Sequence, residues 1–144
     1  TGVQTCALPI LLGNARVQSF PAWELVAENK PEGEPLIATA RVKHDLEYQA
    51  RLGVKFTRAE LTETQQETLA KVSKRIYKIL ELSGYGRVDF RLGADGHFYF
   101  LEANPNPEIA SREEFASSAR SVGIEYPELL QRIMNLGLRR QVLV

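Results

Sequence analysis

The stretch 84-GYGRVDFRLGADGHFYFLEANPNPEIA-110 places Arg87, Asp89, Glu102 and Asn104 at alternate positions in runs otherwise built from Val, Phe, Tyr and Leu. Strand side chains alternate between faces with period two, so each run reads as one apolar face and one polar face. Asp95-Gly96 is a strong two-residue turn signal. A turn there pairs Val88 with Ala103, Phe90 with Leu101 and Leu92 with Tyr99, and on the other face Asp89 with Glu102 and Arg87 with Asn104. A longer turn over 93–96 shifts the pairs by two and keeps every residue on its face.

Like charges directly opposed across a strand pair are destabilising, so Asp89 and Glu102 need something to offset their repulsion. Arg87 does this alone if the polar face is an ordinary outer surface with a local ion pair. Alternatively a divalent cation sits there, since Asp, Glu and Asn offer the hard oxygens that magnesium takes, with phosphate oxygens completing its shell. The following Asn104-Pro105-Asn106-Pro107 cannot continue a central strand, because each proline removes an amide donor. It forms a rigid exit beside the carboxylates. A helix starting after Ser111 then brings its first amides close by, where an anion can meet them.

Around this hairpin the chain reads as α+β, with strands paired by hairpins rather than alternating strictly with helices. Leu11, Leu12, the Gly13-Asn14 turn and residues 15–20 form a hairpin whose first arm is short. Residues 21–35 are a proline-rich connector in which residues 23–26 add a short strand. Residues 36–43 have strand composition, and 44–53 are ambiguous, with Tyr48 and Leu52 suiting one helical turn. The clearest helix spans 62–83: Thr62 and Gln65 fit a capping box, Leu69, Val72, Ile76, Ile79 and Leu80 recur at helical spacing, and Gly84 stops it. A second helix follows Ser111, with Glu114 completing another capping box and Gly123 closing it. A third starts around Pro127, with Leu129, Leu130, Ile133 and Met134 as its apolar face.

The residues GYGRVDFRL…FYFLEANPNPEI, with SREEFASSARSVGIEYPELLQRI behind them, resemble the C-terminal part of ATP-grasp enzymes. The likeness is to D-alanine–D-alanine ligases and related carboxylate–amine ligases. That family shows G-x-x-R-x-D-F, a short hairpin, an apolar pair, then E-x-N and a proline-containing loop. The resemblance implies an ATP-grasp C-terminal lobe, an antiparallel sheet with helices packed on one side. It implies that Asp89 and Glu102 bind one magnesium ion, that Glu102 and Asn104 bind a second, and that Arg87 contacts the transferred phosphate. ATP and two magnesium ions are the implied cofactors, and small-molecule carboxylate and amine substrates the implied partners, joined through an acyl phosphate. Lys43, at the end of a strand, is placed for a phosphate contact. Glu108 departs from the family, since ligases acting on D-alanine usually have glycine after the loop proline. The alternatives are an ATP-grasp ligase adding amino acids to peptide or protein ends, and a non-catalytic module holding a cation or a partner protein.

The bulk properties fit this reading. The 144 residues carry 18 basic and 18 acidic side chains, so no net field draws the chain to nucleic acid or an anionic membrane. No apolar run approaches a membrane span and no secretory signal is visible, which points to the cytoplasm. A homodimer is an option for the full-length protein. His44 and His97 are single and unpaired, and no nucleophile triad or Gly-rich phosphate loop appears. The opening TGVQTCALPI back-translates to a common sequencing-library adapter. Residues 1–10 are therefore expected to be non-native, to pack against nothing and to be removable without cost, leaving 11–144 as a partial ATP-grasp domain that is inactive alone. Cys6 then carries no redox or catalytic meaning.

Overall fold

The computed structural model describes residues 5–29 and 45–139. The elements run β1 (Thr5–Leu8), β2 (Ile10–Leu12), β3 (Gln18–Ser19), β4 (Trp23–Ala27), α1 (Leu46–Leu52), β5 (Val54–Arg58), α2 (Glu63–Ile79), β6 (Tyr85–Leu92), β7 (Phe98–Asn104), α3 (Glu114–Ser121) and α4 (Tyr126–Leu138). Every strand pair is antiparallel. The central strand is β6, with β7 on one edge and β1 and β2 end to end on the other. The pairs Ala7↔Phe90 and Ile10↔Arg87 belong to one continuous register. β1 and β2 are thus a single strand interrupted at Pro9. The Pro9 carbonyl accepts from the Val88 amide at 3.1 Å, but the ring has no N–H to return the bond.

Within the segment 1–10, the described residues 5–10 do not stand apart as expected. Residues 5–10 lie inside the sheet, between β6 and the β3–β4 ribbon, and Ala7 and Ile10 are fully buried. Cys6, Ala7, Leu8 and Ile10 offer apolar groups to both faces, and the ladder itself is made by backbone. Residues 1–4 lie outside the described part. The following hairpin forms as read, pairing Leu11 with Ser19 and Leu12 with Gln18, although its turn takes in residues 13–17 rather than Gly13-Asn14 alone. Gly13 adopts φ 141°, and a Cβ there would stand 2.0 Å from the Arg16 carbonyl oxygen. Asn14 ties this turn down: its amide donates to the Leu136 carbonyl at 3.0 Å and its oxygen accepts from the Gly84 amide at 2.8 Å.

The short strand expected at 23–26 is β4. Its partner β5 gave no clear signal, because VKFTR alternates weakly on an exposed edge. The ambiguous 44–53 segment is α1, capped by Asp45 and closed by Gly53 at φ 61°. The strand expected over 36–43, with Lys43, and His44 beside it, lie outside the described residues.

The capping box of Thr62 and Gln65 opens α2. Its buried face follows the apolar row read from the sequence only in part: Leu69 is buried and Ile76 packs against the core, but the other buried positions are Ser73 and Tyr77, whereas Val72, Ile79 and Leu80 are exposed. Polar atoms on that face are satisfied internally. The Ser73 hydroxyl donates to the Leu69 carbonyl at 2.6 Å, and the Tyr77 hydroxyl to the Gly13 carbonyl at 2.9 Å. Burial pushes Tyr77 up to about 12, so it stays a donor. The helix ends at Ile79 rather than at Gly84. Glu81 takes the left-handed position at φ 55°, with Leu82 donating to Tyr77 and Glu81 to Lys78, which satisfies the last carbonyls.

The α+β class and antiparallel sheet are as expected, but the helices cover both faces rather than one. Ala7, Leu11, Val88 and Phe90 pack with Leu69 and Tyr77 of α2. Ile10 and Leu12 pack with Phe115, Ala116 and Ala119 of α3 and Leu129 of α4. The capping box expected at Ser111 and Glu114 does not form, since the N-cap is Glu113 and makes no side-chain bond to the helix. Gly123, at φ 83°, closes α3 as expected. Pro127 lies in the first turn of α4, whose Leu129 is buried while Met134 is exposed.

A chain starting at Leu11 is accordingly expected to lose its cooperative melt. The milder change Ile10→Ala should cost about 2–5 kcal/mol, read by thermal or urea denaturation. A melt unchanged by either would show that β1 and β2 contribute nothing.

Candidate active site

The site lies on the α3 face of the sheet, at the β6–β7 ladder. Arg87 pairs with Asn104, Val88 with Ala103 and Asp89 with Glu102, as the sequence indicated. Beyond Asp89 the register shifts: Phe90 pairs with Phe100, Arg91 with Tyr99 and Leu92 with Phe98. The expected pairs Phe90–Leu101 and Leu92–Tyr99 are therefore wrong. The turn holds one residue more than Asp95-Gly96, closed by Gly93 donating to the His97 carbonyl at 2.9 Å, with Gly96 at φ 79°. This is the three-residue turn that leaves glycine in the left-handed position, and a bulge at Leu101 takes up the difference. Phe98 and Phe100 consequently share the core face with Phe90, at ring separations of 6.2 and 6.0 Å.

Arg87 is the best-held side chain of the site. Its Nε donates to Asp89 Oδ1 at 2.7 Å and its Nη2 to Asp89 Oδ2 at 2.9 Å, a fork on one carboxylate. Its Nη1 donates to Glu114 Oε1 at 2.6 Å. Burial pulls the guanidinium pKa down, but the bonds and charge of Asp89, then of Glu114, outweigh this and hold it above the ordinary arginine range. Glu114 is only 2% exposed and Asp89 8%. By its spacing from Ser111, Glu114 reads as a helix cap. Only its place in the first turn, two residues after the exposed Arg112 and just before buried Phe115, hinted at burial.

Glu102 differs from Asp89. It is exposed, directly opposite Asp89, and its carboxylate makes no hydrogen bond or ion pair among the described residues. Asn104 is partly committed, its Oδ1 accepting from the Asn106 amide at 2.9 Å. Among the described residues no group of three His, Cys, Asp or Glu side chains is placed to hold a metal ion. The candidate set is instead two carboxylates and an amide, which suits magnesium completed by water and ligand oxygens. The donor chemistry fits. Cys6 shares this face, paired with Arg91, and burial pushes its thiol up, so it stays protonated and is a poor nucleophile.

The exit loop is braced as its prolines suggested. Pro107 is buried, and the Tyr85 hydroxyl donates to Asn106 Oδ1 at 2.5 Å. Glu108 Oε1 accepts from the Ala110 amide at 3.0 Å. The loop delivers Glu113, whose carboxyl is pushed up by burial and then by the charge of Glu114.

Sheet, flanking helices and this polar face define the C-terminal part of an ATP-grasp lobe. The chain belongs to the family described as D-ala D-ala ligase C-terminus, which matches residues 11–135. It is 29% identical over 136 residues to a D-alanine–D-alanine ligase of Desulfotalea psychrophila and 28% identical over 136 residues to that of Pelotomaculum thermopropionicum. These alignments cover 94% and 91% of the chain, which spans only 39% and 40% of those relatives. Among solved structures, a D-alanine–D-alanine ligase of Bacillus anthracis complexed with ATP superposes with a TM-score of 0.70 at 23% identity, over 96% of this chain and 39% of that one. The Coxiella burnetii ligase gives 0.73 at 16% identity, over 96% and 33%. At such identities these structures attest the fold.

The raised Glu113 carboxyl has a pH signature. Folded Glu113 keeps its proton to higher pH than the unfolded chain does, so its contribution is full below the unfolded pKa and is lost as pH rises through the folded one. Glu113→Gln stays neutral throughout. It should match wild type below about pH 4 and become the more stable of the two as pH rises to neutrality, in melts taken across that range. A variant less stable than wild type at neutral pH would contradict the assignment.

Proposed function

We propose that the chain is the C-terminal part of an ATP- and magnesium-dependent carboxylate–amine ligase of the D-alanine–D-alanine ligase type, working through an acyl phosphate. The observation that carries this reading is the opposed Asp89–Glu102 pair, with the Glu102 oxygens uncommitted, on a chain of that family. Asp89 and Glu102 hold one magnesium ion, and Glu102 and Asn104 the second. Bound magnesium supplies charge neutralisation and orientation for the phosphate oxygens. Arg87 has five N–H donors, of which the bonds above engage three, leaving two for a phosphate oxygen. Lys43 is a second phosphate contact. The acyl and amine substrates are both small molecules. The full-length enzyme is cytoplasmic and a homodimer.

Glu102 is the residue to test, because it alone touches both ions in this scheme. Arg87 is bonded to Asp89 and Glu114, so Glu102→Gln breaks no ion pair. In chelator the variant should be as stable as wild type or better by a few tenths of a kcal/mol, through relief of the repulsion with Asp89. Magnesium with a non-hydrolysable ATP analogue, at a hundredfold excess over Kd, should stabilise wild type by about 2.7 kcal/mol and the variant hardly at all. Equal stabilisation of both proteins would sink the metal assignment.

A further inference from the structure

Two carboxylates that are nearly sealed from water share one guanidinium in this site. Asp89 alone satisfies the side-on edge of Arg87 through Nε and Nη2. Such a fork fixes the guanidinium plane against its own strand but leaves the Nη1 amino group without an acceptor and free to rotate about its own C–N bond. Glu114 closes that freedom. It reaches Nη1 at 2.6 Å from the first turn of α3, 27 residues away in sequence, and with 2% exposure it has no water to turn to instead. The contact crosses from the helix that follows the exit loop to the strand that carries Asp89, so it fixes both the arginine and the end of the loop.

We infer that Glu114 is a positioning residue: it holds the guanidinium of Arg87 so that the two remaining N–H donors point at the terminal phosphate of a bound nucleotide. The inference rests on the ligase reading for the identity of the anion, and on the present geometry alone for the ordering of Arg87. The chemistry is electrostatic and involves no bond making. A fixed donor loses no orientational freedom when charge develops in front of it, whereas an Nη1 group without its acceptor must be ordered each time.

The test uses the whole chain labelled with nitrogen-15, as wild type, Glu114→Gln and Glu114→Leu. Gln keeps an oxygen at the same reach without the charge, and Leu removes the acceptor while keeping the volume close. Wild type should show resolved, slowly rotating Nη signals for Arg87. They should broaden or merge in the Leu variant and be intermediate in the Gln variant, while the Nε–H held by Asp89 persists in all three. In titrations with magnesium, the non-hydrolysable ATP analogue should bind the Leu variant more weakly by on the order of tenfold, with ADP affinity within about twofold of wild type. Unchanged Nη signals in the Leu variant would overturn the ordering claim. Equal loss for ADP and the analogue would reduce Glu114 to a structural brace, with the magnesium response of Glu102→Gln still judging the ligase reading separately. A wild-type chain that binds ADP and the analogue equally would overturn the phosphate assignment of Arg87, and with it this use of Glu114.

Discussion

An arginine whose side chain is 14% exposed and bonded to two almost sealed carboxylates is the point where strand, loop and helix meet. Arg87 comes from the central strand, Asp89 from two residues along it, and Glu114 from the helix that covers that face. Removing one partner of such a buried pair typically costs about 3–5 kcal/mol, because the other charge is left unpaired. Two acids, Asp89 and Glu114, share the one guanidinium of Arg87, and Glu102 stands opposite Asp89 on the neighbouring strand.

The surrounding packing supports the same point. β6 buries Val88 and Phe90 against α2 and turns Arg87 and Asp89 toward α3. A sheet covered on both sides gives the polar row a partly dry environment, where hydrogen bonds and ion pairs count for more than on an open surface. Helices on one side only would have left Arg87 and Asp89 in water, where such pairs contribute little.

Much of this was legible in the residues. The pairing of Arg87 with Asn104 and of Asp89 with Glu102, the capping box of α2, the Gly123 stop and the proline start of α4 all rest on local chemistry. The misses have physical causes. Val72 and Ile79 fit a helical apolar row, yet Ser73 and Tyr77 are buried because their hydroxyls find acceptors that no spacing pattern reveals. Glu114 looked like a cap because its true partner lies on a distant strand. β5 sits on an edge with little apolar alternation. The coding pattern of residues 1–10 has no bearing on whether a backbone can join a ladder, as residues 5–10 do. The hairpin register failed only beyond Asp89, where one residue of turn geometry decides which way every later side chain points.

The bulge at Leu101 has a further consequence. It separates the hairpin into a proximal half that carries Asp89, Glu102 and Asn104 and a distal half that carries the turn. Side-chain parity is reset between them, so the distal half answers to the aromatic packing of Phe90, Phe98 and Phe100, and the proximal half to the charged face. Mutational drift in the length of the turn can then be absorbed by moving or removing a single unpaired residue. The hairpin tip is free to diversify while the acids stay in phase with each other.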